Sequence, residues 1–113
     1  QQAEALEPVA PAIRYIDTHL AARLIVPELA ALCCLGPDHF ARRFKECVGQ
    51  TVGAYIRERR IMQAAQRLRF TMDSLEMIAA ECGFGNRNYL TRLFTQEMGI
   101  APAAYRKSGE YTS

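Results

Sequence analysis

Strand-forming patterns are almost missing from this 113-residue chain. Nowhere do apolar and polar residues alternate for long at every second position, which excludes a sheet-based fold. Long hydrophobic runs are missing as well. Charges interrupt every apolar stretch, so no segment suits a bilayer, and residues 1–11 hold no apolar core of a signal peptide. The expected setting is the cytoplasm. The start on Gln1-Gln2, without Met, reads as a piece of a longer protein. Catalytic machinery is equally thin: serine occurs only as Ser74, Ser108 and Ser113, with no G-x-S-x-G turn and no glycine-rich phosphate loop. His19 and His39 have no carboxylate or cysteine partner at motif spacing. Neither an enzyme nor a cofactor is expected. Cys33, Cys34, Cys47 and Cys82 contain no C-x-x-C knuckle, which argues against a zinc site. Small buried residues in a reducing compartment account for them better.

Helical periodicity is what the chain does have. Val9, Ile13, Ile16 and Leu20 form one stripe, with Pro8 or Pro11 suited to a first turn. A short helix is expected from about Val26 to Cys33, with Pro27 and Glu28 in its first turn. Gly36-Pro37-Asp38 opens the next one, as N-cap, first helical residue and a carboxylate for the positive helix end. It buries Phe40, Phe44 and Cys47 or Val48, and stops at Gly49. A longer helix spans about Thr51 to Phe70 with Tyr55, Ile56, Ile61, Ala65 and Leu68 inward. Ser74 caps a helix through Cys82, stopped by Gly83; Asn86 caps another through about Met98, stopped by Gly99. Pro102 opens a last one ending near Lys107.

The same unit is present twice. Leu29-Ala30-Ala31, Cys33 and Gly36 return 49 residues later as Ile78-Ala79-Ala80, Cys82 and Gly85. After a one-residue insertion the offset becomes 50, and Arg42, Phe44, Gly49, Ala54 and Tyr55 match Arg92, Phe94, Gly99, Ala104 and Tyr105. The expected fold is therefore all-α, with about seven helices in two homeodomain-like helix-turn-helix units joined by a long central helix. Residues 1–10 read as a linker or flexible lead, 11–50 as the first unit, 51–70 as the central helix, 71–107 as the second unit and 108–113 as a tail.

A helix-turn-helix lays its second helix in the DNA major groove. Here those helices are Gly36–Val48 and Asn86–Met98. With Phe40 and Phe44 inward, the first turns Pro37, Asp38, Ala41, Arg42 and Lys45 outward; with Leu90, Leu93 and Phe94 inward, the second turns out Arg87, Asn88, Thr91 and Arg92. Arginine can grip guanine and asparagine adenine with two bonds each, while threonine offers a hydroxyl and a methyl. Net charge is only +2, but residues 36–69 hold eight Arg or Lys against three Asp or Glu, a local +5 that suits a phosphate-facing surface. Arg43, Lys45, Arg57 and Arg59 are the candidates for phosphate contacts.

These residues also carry a resemblance. Glu28-Leu29-Ala30, Phe40-x-x-x-Phe44-Lys45, Gly49, Tyr55, Arg60 and Ala64 resemble the first half of an AraC/XylS-type DNA-binding domain. Ile78-Ala79, Cys82-Gly83-Phe84, Tyr89-Leu90-Thr91-Arg92-Leu93-Phe94, Gly99, Pro102 and Tyr105-Arg106 resemble its second half. The resemblance implies two units reading successive major-groove faces of one double-stranded DNA site. Its base-reading positions fall on Pro37, Asp38, Ala41 and Arg42, then Arg87, Asn88, Thr91 and Arg92. It further implies a separate effector or dimerisation domain N-terminal to this chain, and contact with RNA polymerase. Three positions depart from the family pattern, all in the first unit. Cys34 stands where Gly is usual, so either it sits in a strained left-handed turn or the turn differs; Gly36 stands for a capping Ser; Arg43 stands for an apolar residue and must snorkel or reach a phosphate. The competing reading is a helical protein-interaction module that has lost DNA affinity. It would show an apolar outer stripe on the second helices, and the outward residues are polar or basic instead.

Overall fold

The computed structural model describes residues 7–112, with side chains through residue 109. All regular structure among them is helical: a 3-10 turn at Glu7–Val9, then α1 (Ala10–Thr18), α2 (Val26–Leu32), α3 (Pro37–Val48), α4 (Val52–Phe70), α5 (Leu75–Glu81), α6 (Arg87–Met98) and α7 (Pro102–Thr112). The chain divides into two compact units, one ending at Arg57 and the other beginning at Glu58, so α4 contributes to both.

The first unit is built on α1, α2, α3 and the start of α4. Val9, Ala12 and Ile16 meet Leu29, Ala30, Phe40, Phe44, Val52 and Ile56 in one buried cluster. Val9 is fully buried, so the segment expected to be a flexible lead is already packed by residue 9; residues 1–6 lie outside the described residues. Helix α1 ends at Thr18, short of Leu20, where the Thr18 hydroxyl donates to the Arg14 carbonyl at 2.8 Å. Leu20 still packs against the cluster from the following turn. The Tyr55 hydroxyl, at the other side of the unit, donates to the Asp17 carboxylate at 3.1 and 3.3 Å.

The second unit repeats the plan with the rest of α4, α5, α6 and α7. Its cluster joins Ile61, Ala64 and Leu68 to Ile78, Ala79, Cys82, Phe84, Leu90, Leu93 and Phe94. Ala64 rather than Ala65 is the fully buried alanine of α4; Ala65 packs at the edge. Arg106 donates to the Leu68, Thr71 and Asp73 carbonyls at 3.1, 3.2 and 2.8 Å, satisfying one acceptor in the last turn of α4 and two in the turn that follows. Arg67 adds ion pairs to Asp73, at 3.1 Å, and to Glu81, whose bond holds the guanidinium charged. Helix α7 continues to Thr112, so residues 108–112, expected as a tail, extend the last helix. The repeat extends to ring packing: Phe44 meets Tyr55 edge-on at 5.5 Å, and Phe94 meets Tyr105 edge-on at 5.3 Å.

Candidate nucleic-acid interface

Each candidate reading helix is launched by a tight turn that the sequence specifies locally. Helix α2 ends with Cys34 N–H bonding the Ala31 carbonyl and Leu35 N–H the Ala30 carbonyl, both at 3.0 Å, which requires a left-handed residue at Cys34. Cys34 has φ +58. In the second unit Gly83 takes φ +91, and Phe84 N–H bonds the Ala79 carbonyl at 2.8 Å. The inserted residue of the second turn is Gly85, at φ +86, which makes Asn86 rather than Gly85 the structural counterpart of Gly36. Gly36 caps α3 without a side-chain bond, whereas Asn86 Oδ1 accepts the Tyr89 N–H at 2.8 Å.

On α3, Phe40 and Phe44 are buried and Pro37, Asp38, Ala41, Arg42 and Lys45 are exposed. Asp38, Ala41, Arg42, Lys45 and Glu46 line an open groove of about 770 Å³ together with Val26 and Val52. Asp38 and Arg42, one turn apart, form no ion pair; such an exposed pair gains only a few tenths of a kcal/mol in water. Arg43 neither enters the core nor stands free. It is half-buried and bonds Glu46 at 3.2 Å. Arg57 is exposed on α4, within the first unit, while Arg59, in the second, is half-buried with Nη1 3.9 Å from Met62 Sδ.

On α6, Leu90, Leu93 and Phe94 are buried; Arg87, Asn88 and Arg92 are exposed and Thr91 is half-buried at their edge. Two of these side chains have partners that residue-by-residue reading passed over. Arg87 bonds Glu76 of α5 at 3.2 Å, and the Glu76 carboxyl sits below its usual range through its own backbone N–H and this arginine. The Arg92 guanidinium lies over the Tyr89 ring, 5.2 Å from its centroid. The three-residue spacing of Tyr89 and Arg92 on one helix was a usable signal for their contact. Glu76, on another helix, left no local signal.

The cysteines do not behave as one class. Cys82 is buried and Cys33 and Cys47 are half-buried, but Cys34, expected to be buried, is exposed at the left-handed position of the turn. Among the described residues no helix is long and apolar enough to cross a membrane.

The chain matches a family model described as a helix-turn-helix domain over residues 29–108. It is 33% identical over 99 residues to the transcriptional regulator Rob of Salmonella typhimurium, covering 88% of this chain and 34% of that protein. It is 36% identical over 93 residues to the MmsAB operon regulatory protein of Pseudomonas aeruginosa, covering 82% and 30%. This chain thus spans about a third of the length of the curated relatives it matches. Among solved structures, the DNA-binding domain of AdpA in complex with a target DNA matches with TM-score 0.84 and 30% identity over 89% of this chain and 91% of that one. An AraC-type DNA-binding domain protein from Chromobacterium violaceum matches in fold, with TM-score 0.86 and 21% identity over 95% and 96%.

Proposed function

The chain belongs to the AraC-type helix-turn-helix family, and on that premise we propose that it binds double-stranded DNA sequence-specifically to regulate transcription. In this reading α3 and α6, each with its cap (Gly36–Val48 and Asn86–Met98), enter the major groove. The observation that carries it is the outward face of α6. A tight turn and an asparagine cap present Arg87, Asn88 and Arg92 side by side on the first turns of a helix whose opposite face is buried. Bidentate donors at the N-terminal end of such a helix suit base edges. Thr91 offers a methyl or hydroxyl at the edge of the same face. Helix α3 supplies Pro37, Asp38, Ala41 and Arg42, and Lys45, Arg57, Arg43 and Arg59 supply phosphate contacts. Arg43 and Arg59 must leave their present neighbours to do so, and Arg87 must likewise release Glu76 to reach a base. The related AdpA domain, solved with a target DNA, supports the reading.

Because the relatives are more than twice as long as this chain, effector recognition and dimerisation are assigned to a further domain of the whole protein. Contact with RNA polymerase belongs to that whole-protein reading as well.

Selection of bound duplexes from a random pool, followed by a salt titration, tests the proposal. An enriched motif is expected, and neutralising about six phosphates should weaken binding on the order of a thousandfold between roughly 50 and 200 mM salt. No enriched motif with a flat salt response overturns it and favours the protein-interaction module.

A further inference from the structure

Tyr89 is anchored on more than one side. Its backbone N–H is bonded by the Asn86 cap at 2.8 Å. Its ring packs at a 60° tilt against buried Phe84, with centroids 6.2 Å apart. Arg60 of α4, whose charge is disfavoured by burial, lies within electrostatic reach of its phenol. Tyr89 as a residue remains 38% exposed with its neighbours in place. The Arg92 guanidinium lies over its ring, 5.2 Å from the centroid and within cation–π range. A free arginine samples many rotamers, and a ring beneath it leaves few. Position 39, the counterpart of Tyr89 in the first unit, is His39, and the cation–π contacts found among the described residues involve Arg69 and Arg92, not Arg42.

We propose that Tyr89 is a positioning residue that sharpens base discrimination by α6, holding the Arg92 guanidinium in one orientation without itself touching a base. The proposal rests on α6 being a reading helix. Its consequence is an unequal division of labour: α6 meets DNA with an arginine oriented by a tyrosine ring, and α3 with one that has no such contact. Rigid bidentate donors discriminate more sharply, because a wrong base cannot be accommodated by swinging the side chain away.

The test uses the whole 113-residue chain. Tyr89→Leu removes the ring face, Tyr89→Phe removes only the hydroxyl, and Arg92→Lys removes the bidentate fork. In the free protein, relaxation of the Arg92 Nε–Hε group by NMR should show it ordered in wild type and Tyr89→Phe, and mobile in Tyr89→Leu. On DNA, Tyr89→Leu should lower preference about two- to fivefold at the base pair whose identity Arg92→Lys also relaxes, the scale of an exposed cation–π contact. Affinity for scrambled duplex should stay level, and the double variant should lose no more than Arg92→Lys alone. Tyr89→Met repeats the measurements if Tyr89→Leu melts early. An Arg92 side chain as ordered in Tyr89→Leu as in wild type overturns the proposal. So do fully additive losses, which would make Tyr89 a base contact in its own right, or a Tyr89→Phe variant as impaired as Tyr89→Leu. If instead Arg92→Lys shifts no preference, the assignment of Arg92 as a base reader falls, and the discrimination proposed here falls with it. The NMR comparison then shows separately whether the ring holds the guanidinium.

Discussion

Cys34 and Gly83 hold the same turn position in the two units, and both are left-handed, at φ +58 and +91. Only glycine reaches that region without a steric cost. For other residues the Cβ crowds the neighbouring carbonyl at roughly 1–2 kcal/mol. Cys34→Gly should therefore stabilise the chain by about 1 kcal/mol, less the extra freedom glycine has when unfolded. Cys34→Val should destabilise it, since a branched Cβ fits that region worst. Urea unfolding of both variants decides the matter. A lower midpoint for Cys34→Gly would mean that the thiol itself contributes to the turn.

The caps make a second contrast. Asn86 and Ser74 each accept a backbone N–H, at 2.8 and 3.1 Å, while Gly36 offers no side chain. Asn86→Ala and Ser74→Ala should each cost about 0.5–2 kcal/mol, whereas Gly36→Ser should gain a few tenths. Nothing lies within 4 Å of a Cβ built at Gly36, so the Cβ that serine adds meets no neighbour. A thermal melt in which Gly36→Ser is destabilised would show that the first turn cannot adopt the capped geometry.

Thiol chemistry should follow burial. Burial raises the Cys82 and Cys33 thiols above their ordinary 9.0, whereas Cys34 is open to solvent. In the native protein Cys34 should be alkylated first and Cys82 only on unfolding. The sign of the pH dependence follows from linkage. A folded-state pKa raised above the unfolded one favours the fold below the unfolded pKa, and that contribution is lost as pH rises through 9.0 toward the folded value. Urea midpoints should thus decline above about pH 9, and Cys82→Ser should not be used as the control because a buried hydroxyl would need a partner. Cys82→Ala is the better one. A midpoint in that variant falling as steeply as in wild type would assign the decline to other groups.

Arg92 and Asp38 should affect binding in opposite ways. Arg92→Ala should cost about 1–3 kcal/mol on a selected site and relax preference at one base pair. Asp38, exposed on α3 and without an ion pair among the described residues, is repelled by phosphates unless it accepts from a cytosine amino group. Asp38→Ala should hold or raise affinity for scrambled duplex and lower specificity little or moderately. Titrating both variants against selected and scrambled DNA separates the two helices. Loss of specific binding in Asp38→Ala with a silent Arg92→Ala would make α3 the dominant reader.

By itself the sequence determined most of the helical plan, because helices begin and end on chemistry local in the chain. Pro37 and Pro102 open helices, Ser74 and Asn86 cap them, and Gly49, Gly83 and Gly99 end them with positive φ. The left-handed state of Cys34 was legible as one of two alternatives, from a residue standing where glycine is usual. The buried faces of α3 and α6 followed from spacing alone, with Phe40 and Phe44 in one and Leu90, Leu93 and Phe94 in the other. Tertiary structure decided what periodicity leaves open. Ala64 rather than Ala65 entered the core, and α7 ran on past Lys107 to Thr112. Thr91 was half-covered, while Arg43 went to Glu46 and Arg87 to Glu76. A helical period of 3.6 places a residue on a face but does not choose between adjacent positions at its edge. Nor does it say where a long, charged side chain comes to rest. That depends on carboxylates and rings brought within reach by packing, as α5 brings Glu76 to Arg87 and Phe84 packs against the ring over which Arg92 lies.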